Sequence, residues 1–230
     1  MYFFHSSSIW SDFPRLVAGV ILVDGITKDV SVDSQIQIFT AMAGERLATS
    51  MEGHLPEIAA WRRAFSDMGL KPTQYRCAAE ALLRRFRKDK AMPRIHPLVD
   101  LCNVISLAFA IPVAVFDVAK VVGGIEVRYA SGSESFLDFS GNVEQPQRNE
   151  VIFADSSGRA HARRWTNRQS AYSAVREETQ TVLIVAEALH ESAPTDVERL
   201  TAAITGELVR AWSATPESRI LDRPQSRFVF

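Results

Sequence analysis

RIHPLVDLCNVISLAFAIPVAVFD, residues 94–117, holds a helix, a stop and a strand in one run. Val99 to Ala110 is apolar and helix-permissive. Ile111-Pro112 then breaks the helix, because proline lacks the N–H the next turn needs, and VAVFD resumes as an extended segment. Upstream, RLVAGVILVDG (15–25) is a β-branched run closed by Asp24-Gly25, which predicts a buried strand and a turn opening the fold. Three helical segments follow at 34–50, 55–68 and 76–90. Ile36, Phe39, Met42 and Leu47 keep helical spacing in the first, and Ile58, Trp61 and Phe65 in the second. Downstream lie the β-type pieces IEVRYA (125–130), SFLDF (135–139), EVIFAD (150–155), RAHARRW (159–165) and TVLIVAEAL (181–189), separated by Gly, Ser, Pro and Asn. A closing helix is predicted after Pro194, with Thr195 as N-cap, an apolar stripe of Val197, Leu200, Ile204, Leu208 and Ala211, and Pro216 as its stop. The tail 218–230 is expected to pack back on the body or to join a homodimer interface.

A strand, a helical block, a cluster of strands and a closing helix make an α+β fold, not the alternating βα order of a doubly wound sheet. With 230 residues, 47% of them hydrophobic, the chain can bury a large core, and a single domain over 1–230 is expected. The formal charge is −1, so any nucleic-acid contact must come from a local patch. The densest positive charge is LLRRFRKDKAMPR (82–94), where Arg84, Arg85, Arg87, Lys88, Lys90 and Arg94 face one acid, Asp89. Those residues suit either a phosphate footprint or a solvated helix face. Cys77 and Cys102 form neither a CxxC pair nor zinc-type spacing. The start MYFFHSSSIW lacks a basic n-region, and no stretch reaches 18 uncharged apolar residues, so a soluble, cytoplasmic protein without membrane contact is expected.

The 94–117 stretch is similar to the signature of the B3/B4 domain, the editing domain of the phenylalanyl-tRNA synthetase β-subunit. The matching positions are Val99, Asp100, Asn103, Pro112, Phe116 and Asp117. A second block, 150–189, looks like the companion half, with Asp155, Arg164, Trp165, Asn167, Arg168, Glu178 and Thr179. The resemblance implies a β-sandwich-like core, about 94–189, layered with helices and holding a cleft for the aminoacylated end of tRNA. It also implies trans-hydrolysis of a mischarged tRNA, with no cofactor and no metal. Some free-standing members act on tRNA(Arg) carrying canavanine; a pocket for that cationic side chain would draw on an acid such as Asp117, Asp100 or Glu126. A non-catalytic module binding tRNA or an amino acid is the alternative. Two residues after the proline, where the synthetase carries a histidine, stands Ala114, so a changed pocket is implied.

No GxSxG elbow or cysteine-nucleophile signature is present, which suits hydrolysis by a positioned water. Asn103, Asp117 and His96 are the candidate catalytic residues, Asp100, Arg164, Asn167 and Arg168 the candidate substrate contacts, and the basic residues of 84–94 the candidate tRNA contacts. Structural alternatives stand beside each of them. Asp100 can cap or salt-bridge the basic segment, Asn103 can hydrogen-bond a neighbouring loop, His96 can end the loop before the helix, and the arginines can pair with Asp155 or Glu178. Trp165 suits a core better than an RNA-stacking platform, which needs an exposed ring. Glu187, in an apolar strand, must meet an arginine or face the cleft, since an unpaired buried carboxylate is costly.

Overall fold

The computed structural model describes residues 1–230. Two sheets face each other and a layer of helices covers the outer face of one. The first sheet runs β12-β1-β4-β7-β8-β9, where β1 is Tyr2–His5, β4 Ile125–Tyr129, β7 Val151–Asp155, β8 Ala160–Arg163, β9 Arg168–Gln169 and β12 Arg227–Val229. The second runs β11-β2-β10-β3, with β2 at Val17–Val23, β3 at Val113–Asp117, β10 at Val182–Ala188 and β11 at Glu217–Leu221. A small hairpin of β5 (Phe136–Leu137) and β6 (Val143–Glu144) lies beside β8. The expected sandwich-like α+β core is thus present.

Strand β10 shows why the layers stack this way. Every residue of VLIVAEA is buried, because each face of the strand meets apolar atoms. Leu183 and Val185 join the core between the sheets, with Phe3, Val127, Phe153 and Trp165. Val182, Ile184, Ala186 and Ala188 point the other way, into the core formed with the helices. Those helices are α2 (Asp33–Thr49), α5 (Pro97–Phe109) and α6 (Ala193–Trp212). Helix α6 lies so close to β2 that a Cβ at Gly19 would sit 2.2 Å from Thr201 Oγ1, so only glycine fits there. Helices α3 (Pro56–Asp67) and α4 (Ala78–Asp89) add Trp61, Phe65 and Leu83 to the inter-sheet core.

The predicted helix, stop and strand at 94–117 are α5 and β3. His96 is the N-cap of α5 and accepts from Leu98 N at 3.2 Å, Pro97 takes the first position where no N–H is needed, and Ala110 ends the helix in a left-handed turn (φ 56°). Three expectations need correction. The fold opens not at residue 15 but with Tyr2–His5, followed by a short helix α1 (Ser7–Asp12). β1 is mixed in its pairing, parallel to β4 and antiparallel to β12, so its reading depended on distant partners. The closing helix begins at Ala193, with Pro194 inside its first turn and no side-chain cap from Thr195, and it ends at Trp212, four residues short of Pro216. The tail packs back on the body, giving each sheet an edge strand, β11 beside β2 and β12 beside β1.

Candidate active site

Strands β3 and β9 are unpaired edges of their sheets on the same side of the sandwich, and a cavity opens between them. The cavity is small, about 60 Å³, room for a few water-sized groups. One wall comes from a cross-strand row of the first sheet, His5, Val127, Phe153, Ala162 and Gln169, whose last three members line the cavity. The facing wall is Ala114 of β3 with Val185 and Glu187 of β10, Ala114 standing directly opposite Val185. Gln169 Nε2 donates to Val115 O at 2.6 Å and so ties the two edge strands together at the mouth.

The third wall is the turn after β8. Arg164 and Trp165 are both left-handed, with φ 47° and 55°, a conformation that costs non-glycine residues roughly 1–2 kcal/mol each. Hydrogen bonds hold it in place: Arg164 N donates to Glu150 Oε1 (2.9 Å), Trp165 N to Val151 O (2.7 Å), and the buried indole Nε1 to Glu187 Oε1 (3.0 Å). Such strain persists only where the surroundings fix it. Here it carries Thr166, Asn167 and Arg168 along the cavity. Thr166 Oγ1 is buried without a hydrogen-bond partner.

Glu187 is 2% exposed and is the only acid lining this cavity. It meets no arginine. His5 Nε2 donates to its Oε1 at 2.6 Å, where the Trp165 indole also donates, and Trp61 Nε1 donates to its backbone carbonyl at 3.3 Å. Its Oε2 accepts no hydrogen bond from the protein.

Of the candidate substrate contacts, Asn167 and Arg168 line the cavity. Asn167 Nδ2 donates to Arg76 O (2.7 Å), and Arg168 turns its guanidinium to Glu144 (3.3 Å) over the Phe136 ring. Arg164 lies over the Tyr75 ring at 4.7 Å. Asp100 is buried, accepting from Ile95 N (2.8 Å) and pairing with Arg94 (3.1 Å). Asp117 is buried too, accepting from Ala119 N (3.0 Å) and Thr179 Oγ1 (2.8 Å). Neither aspartate reaches the cavity, nor does Glu126, which lies 3.7 Å from Arg128. Asn103 lines a separate groove between α5 and β3 that shares Val113 and Gln169 with the cavity. His96 lines neither, and burial pushes its imidazole below the usual range. Burial pushes both cysteine thiols up to about 12, which leaves no ready thiolate.

The basic segment divides in two. Arg84 and Arg87 clasp the buried carboxylate of Glu52 (3.1 and 3.2 Å), and Arg94 bridges Asp33 (2.7 Å) and Asp100. Arg85 lies 3.8 Å from Asp89, while Lys88 and Lys90 are exposed without an acid partner. Helix α4 links this end to the cavity, since Ala78 lines it and donates its N–H to Thr166 O at 2.8 Å. Eleven residues of helix separate the two by about 16 Å. Outside this region, Glu57, His190 and Asp196 bring three metal-type ligand atoms within 4.8 Å, but Glu57 pairs with Arg46 (2.6 Å) and His190 with Asp196 (2.9 Å).

Sequence reasoning flagged Glu187, Asn167 and Arg168 but missed Ala78, Phe153, Ala162, Thr166, Gln169 and the His5 that meets Glu187. Glu187 carried a local signal of its own, an acid inside an apolar strand.

A sandwich with helices on one face is also the architecture of a solved relative. The crystal structure of an N-terminal fragment of the phenylalanyl-tRNA synthetase β-subunit from Pyrococcus horikoshii superposes with a TM-score of 0.51, covering 93% of this chain and 49% of that one at 10% identity, a likeness of fold alone. Residues 60–202 match the model of the B3/4 domain, and the chain belongs to that family. It is 38% identical over 64 residues to the phenylalanine–tRNA ligase β-subunit of Haemophilus influenzae (strain Rd), covering 28% of this chain and 8% of that one. Against the same subunit of Chromobacterium violaceum it is 27% identical over 143 residues, 61% of this chain and 18% of the other. The chain therefore spans less than a fifth of either relative. No helix is long and apolar enough to cross a membrane.

Proposed function

We propose that the protein hydrolyses the ester of a mischarged aminoacyl-tRNA in trans. The observation that carries this reading is the cavity at the open edge of the sandwich, in a B3/4 domain, with Asn167, Arg168 and the unpartnered Thr166 Oγ1 along one wall. The aminoacyl side chain enters between the sheets, and the ester stays at the mouth between β3 and β9. A water attacks the ester carbonyl carbon, the bond to the ribose oxygen breaks, and that oxygen leaves with a proton, releasing free amino acid and tRNA. Asn167 and Arg168 hold the substrate, while the cavity excludes bulk water and fixes the geometry of attack.

With both thiols protonated and buried, the reaction runs without a covalent enzyme intermediate. His96, Asp100 and Asp117 act through support of α5 and β3, and Asn103 meets the substrate from the adjoining groove. Lys88, Lys90 and Arg85 contact phosphates of the acceptor end, about 16 Å along α4 from the cavity.

The finer form of the reading is canavanyl-tRNA(Arg) as substrate. Ala114 supports a pocket that differs from the synthetase's, since no imidazole stands beside Val185. A deacylation screen tests both levels. Purified protein is expected to clear canavanyl-tRNA(Arg) faster than correctly charged arginyl-tRNA; clearance of a different mischarged tRNA would keep the hydrolase and replace the substrate. Ester loss at the buffer-only rate across the whole panel would remove the enzyme reading and leave a binding module.

A further inference from the structure

Two carboxylates and an imidazole converge where the helical layer meets the end of β10. Glu57 is the second residue of α3, His190 follows β10, and Asp196 lies in the first turn of α6. One ligand-type atom from each falls within 4.8 Å of the other two. Glu57 and His190 are buried, and Asp196 is half-buried. None of the three lines the cavity between the sheets, so their chemistry is separate from the proposed hydrolysis.

Their contacts within the protein are incomplete. Arg46 donates to Glu57 Oε1 at 2.6 Å, and Glu57 Oε2 is buried without a partner. His190 Nε2 donates to Asp196 Oδ2 at 2.9 Å, and Nδ1 is buried without a partner too. With Nε2 as the donor, the neutral ring presents a bare lone pair at Nδ1. Both orphans are therefore lone pairs with nothing electrophilic beside them. Buried polar atoms are rarely left so, and two in one cluster of three side chains mark a missing cation. The contacts already present suit that reading, because a carboxylate that ligates a metal is itself held by an outer shell of donors. Arg46 holds Glu57 in this way, and Ser192 Oγ donates to Asp196 Oδ2 at 2.6 Å. Arg46 is anchored in turn by Ala108 O at 2.9 Å, so its ion pair with Glu57 need not break.

We propose that Glu57, His190 and Asp196 bind a zinc-type divalent metal ion, a structural staple joining α3, α6 and the end of β10. Imidazole combined with carboxylates suits zinc and its transition-metal neighbours, whereas magnesium and calcium take oxygen ligands. Ligands of tetrahedral zinc lie about 2.0–2.2 Å from the metal and so about 3.3–3.6 Å from one another. From a spread of 4.8 Å that spacing needs a shift of about 1 Å, which rotation of the Glu57 side chain supplies, and water fills the fourth position.

The test uses the full chain, stripped of metal with a chelator and titrated with zinc by calorimetry. One zinc ion per chain is expected to bind, to raise the urea midpoint, and to stay bound in excess magnesium. Glu57→Gln and His190→Gln are each expected to weaken zinc by at least about 100-fold, and Ser192→Ala by about 10-fold. Cobalt in place of zinc is expected to give a d–d spectrum without a thiolate charge-transfer band, since neither Cys77 nor Cys102 belongs to the cluster. No binding to the wild type, displacement by magnesium, a thiolate band, or unchanged affinity in either ligand variant overturns the proposal. The wild-type titration and the cobalt spectrum decide it even if a variant fails to fold.

Discussion

Two carboxylates are buried against a histidine in this protein, and they are furnished in opposite ways. Asp155, at the end of β7, is saturated: its oxygens accept from Ser157 N (2.9 Å), Ser157 Oγ (2.7 Å), Arg159 N (3.0 Å) and Val122 N (3.2 Å), with His161 Nε2 at 3.2 Å. Burial pushes its carboxyl up, but His161, Ser157 and the backbone donors outweigh that and hold it well below the usual range. Glu187 has donors on one oxygen only. Asp155 closes a turn; Glu187 faces a cavity. Equal burial therefore says little about role, and the count of satisfied lone pairs says more.

The largest effect should fall on the saturated acid. Asp155→Ala leaves three backbone N–H groups and the Ser157 hydroxyl short of an acceptor, and should cost about 3 kcal/mol of stability in urea unfolding, whereas Glu187→Gln should cost less than about 1 kcal/mol. Equal losses would erase the distinction between them. Next comes Trp165→Phe, which keeps most of the buried ring but removes a donor from Glu187; a loss of about 1–2 kcal/mol is expected.

Acid titration reads the saturated acids. Glu134 resembles Asp155: burial raises its pKa, but Ser131 N and Arg128 bring it down to about 2. A carboxylate whose folded pKa lies below its unfolded value gives stability that is complete above the unfolded value, near pH 4, and lost as pH falls through the folded one. The urea midpoint should thus hold from pH 7 to about 5 and drop below pH 4, and Asp155→Asn should flatten part of that drop. The smallest effect belongs to the surface: Lys88→Ala and Lys90→Ala should each lower the salt slope of tRNA binding by about 0.7 and weaken all tRNAs alike. Arg84→Ala differs, because it strips one of two guanidinia from buried Glu52 and should register as lost stability.

Much of the fold was legible because local pattern decides it. The apolar run, Pro112 and VAVFD of 94–117 became α5 and β3 with small shifts, and TVLIVAEAL became the doubly buried β10. The short strands at both chain ends were not, since β1, β11 and β12 owe their existence to partners far along the sequence. The site was half legible for the same reason. Asn167 and Arg168 stand in a readable motif, but His5 meets Glu187 across 182 positions, and Gln169 reaches the mouth only through the register of β8 with β9.

Helix α4 touches the cavity at Ala78 and ends among exposed cations at Lys88 and Lys90. In the proposed reading, one stiff rod carries both a grip for phosphates and a wall of the pocket, at a fixed separation. An acceptor end caught by the cations would then be delivered to the pocket at high effective concentration, while a free amino-acid ester, with nothing to grip, would have to find it from bulk solution. The length of this helix would act as a ruler favouring RNA-borne esters before any side chain is inspected.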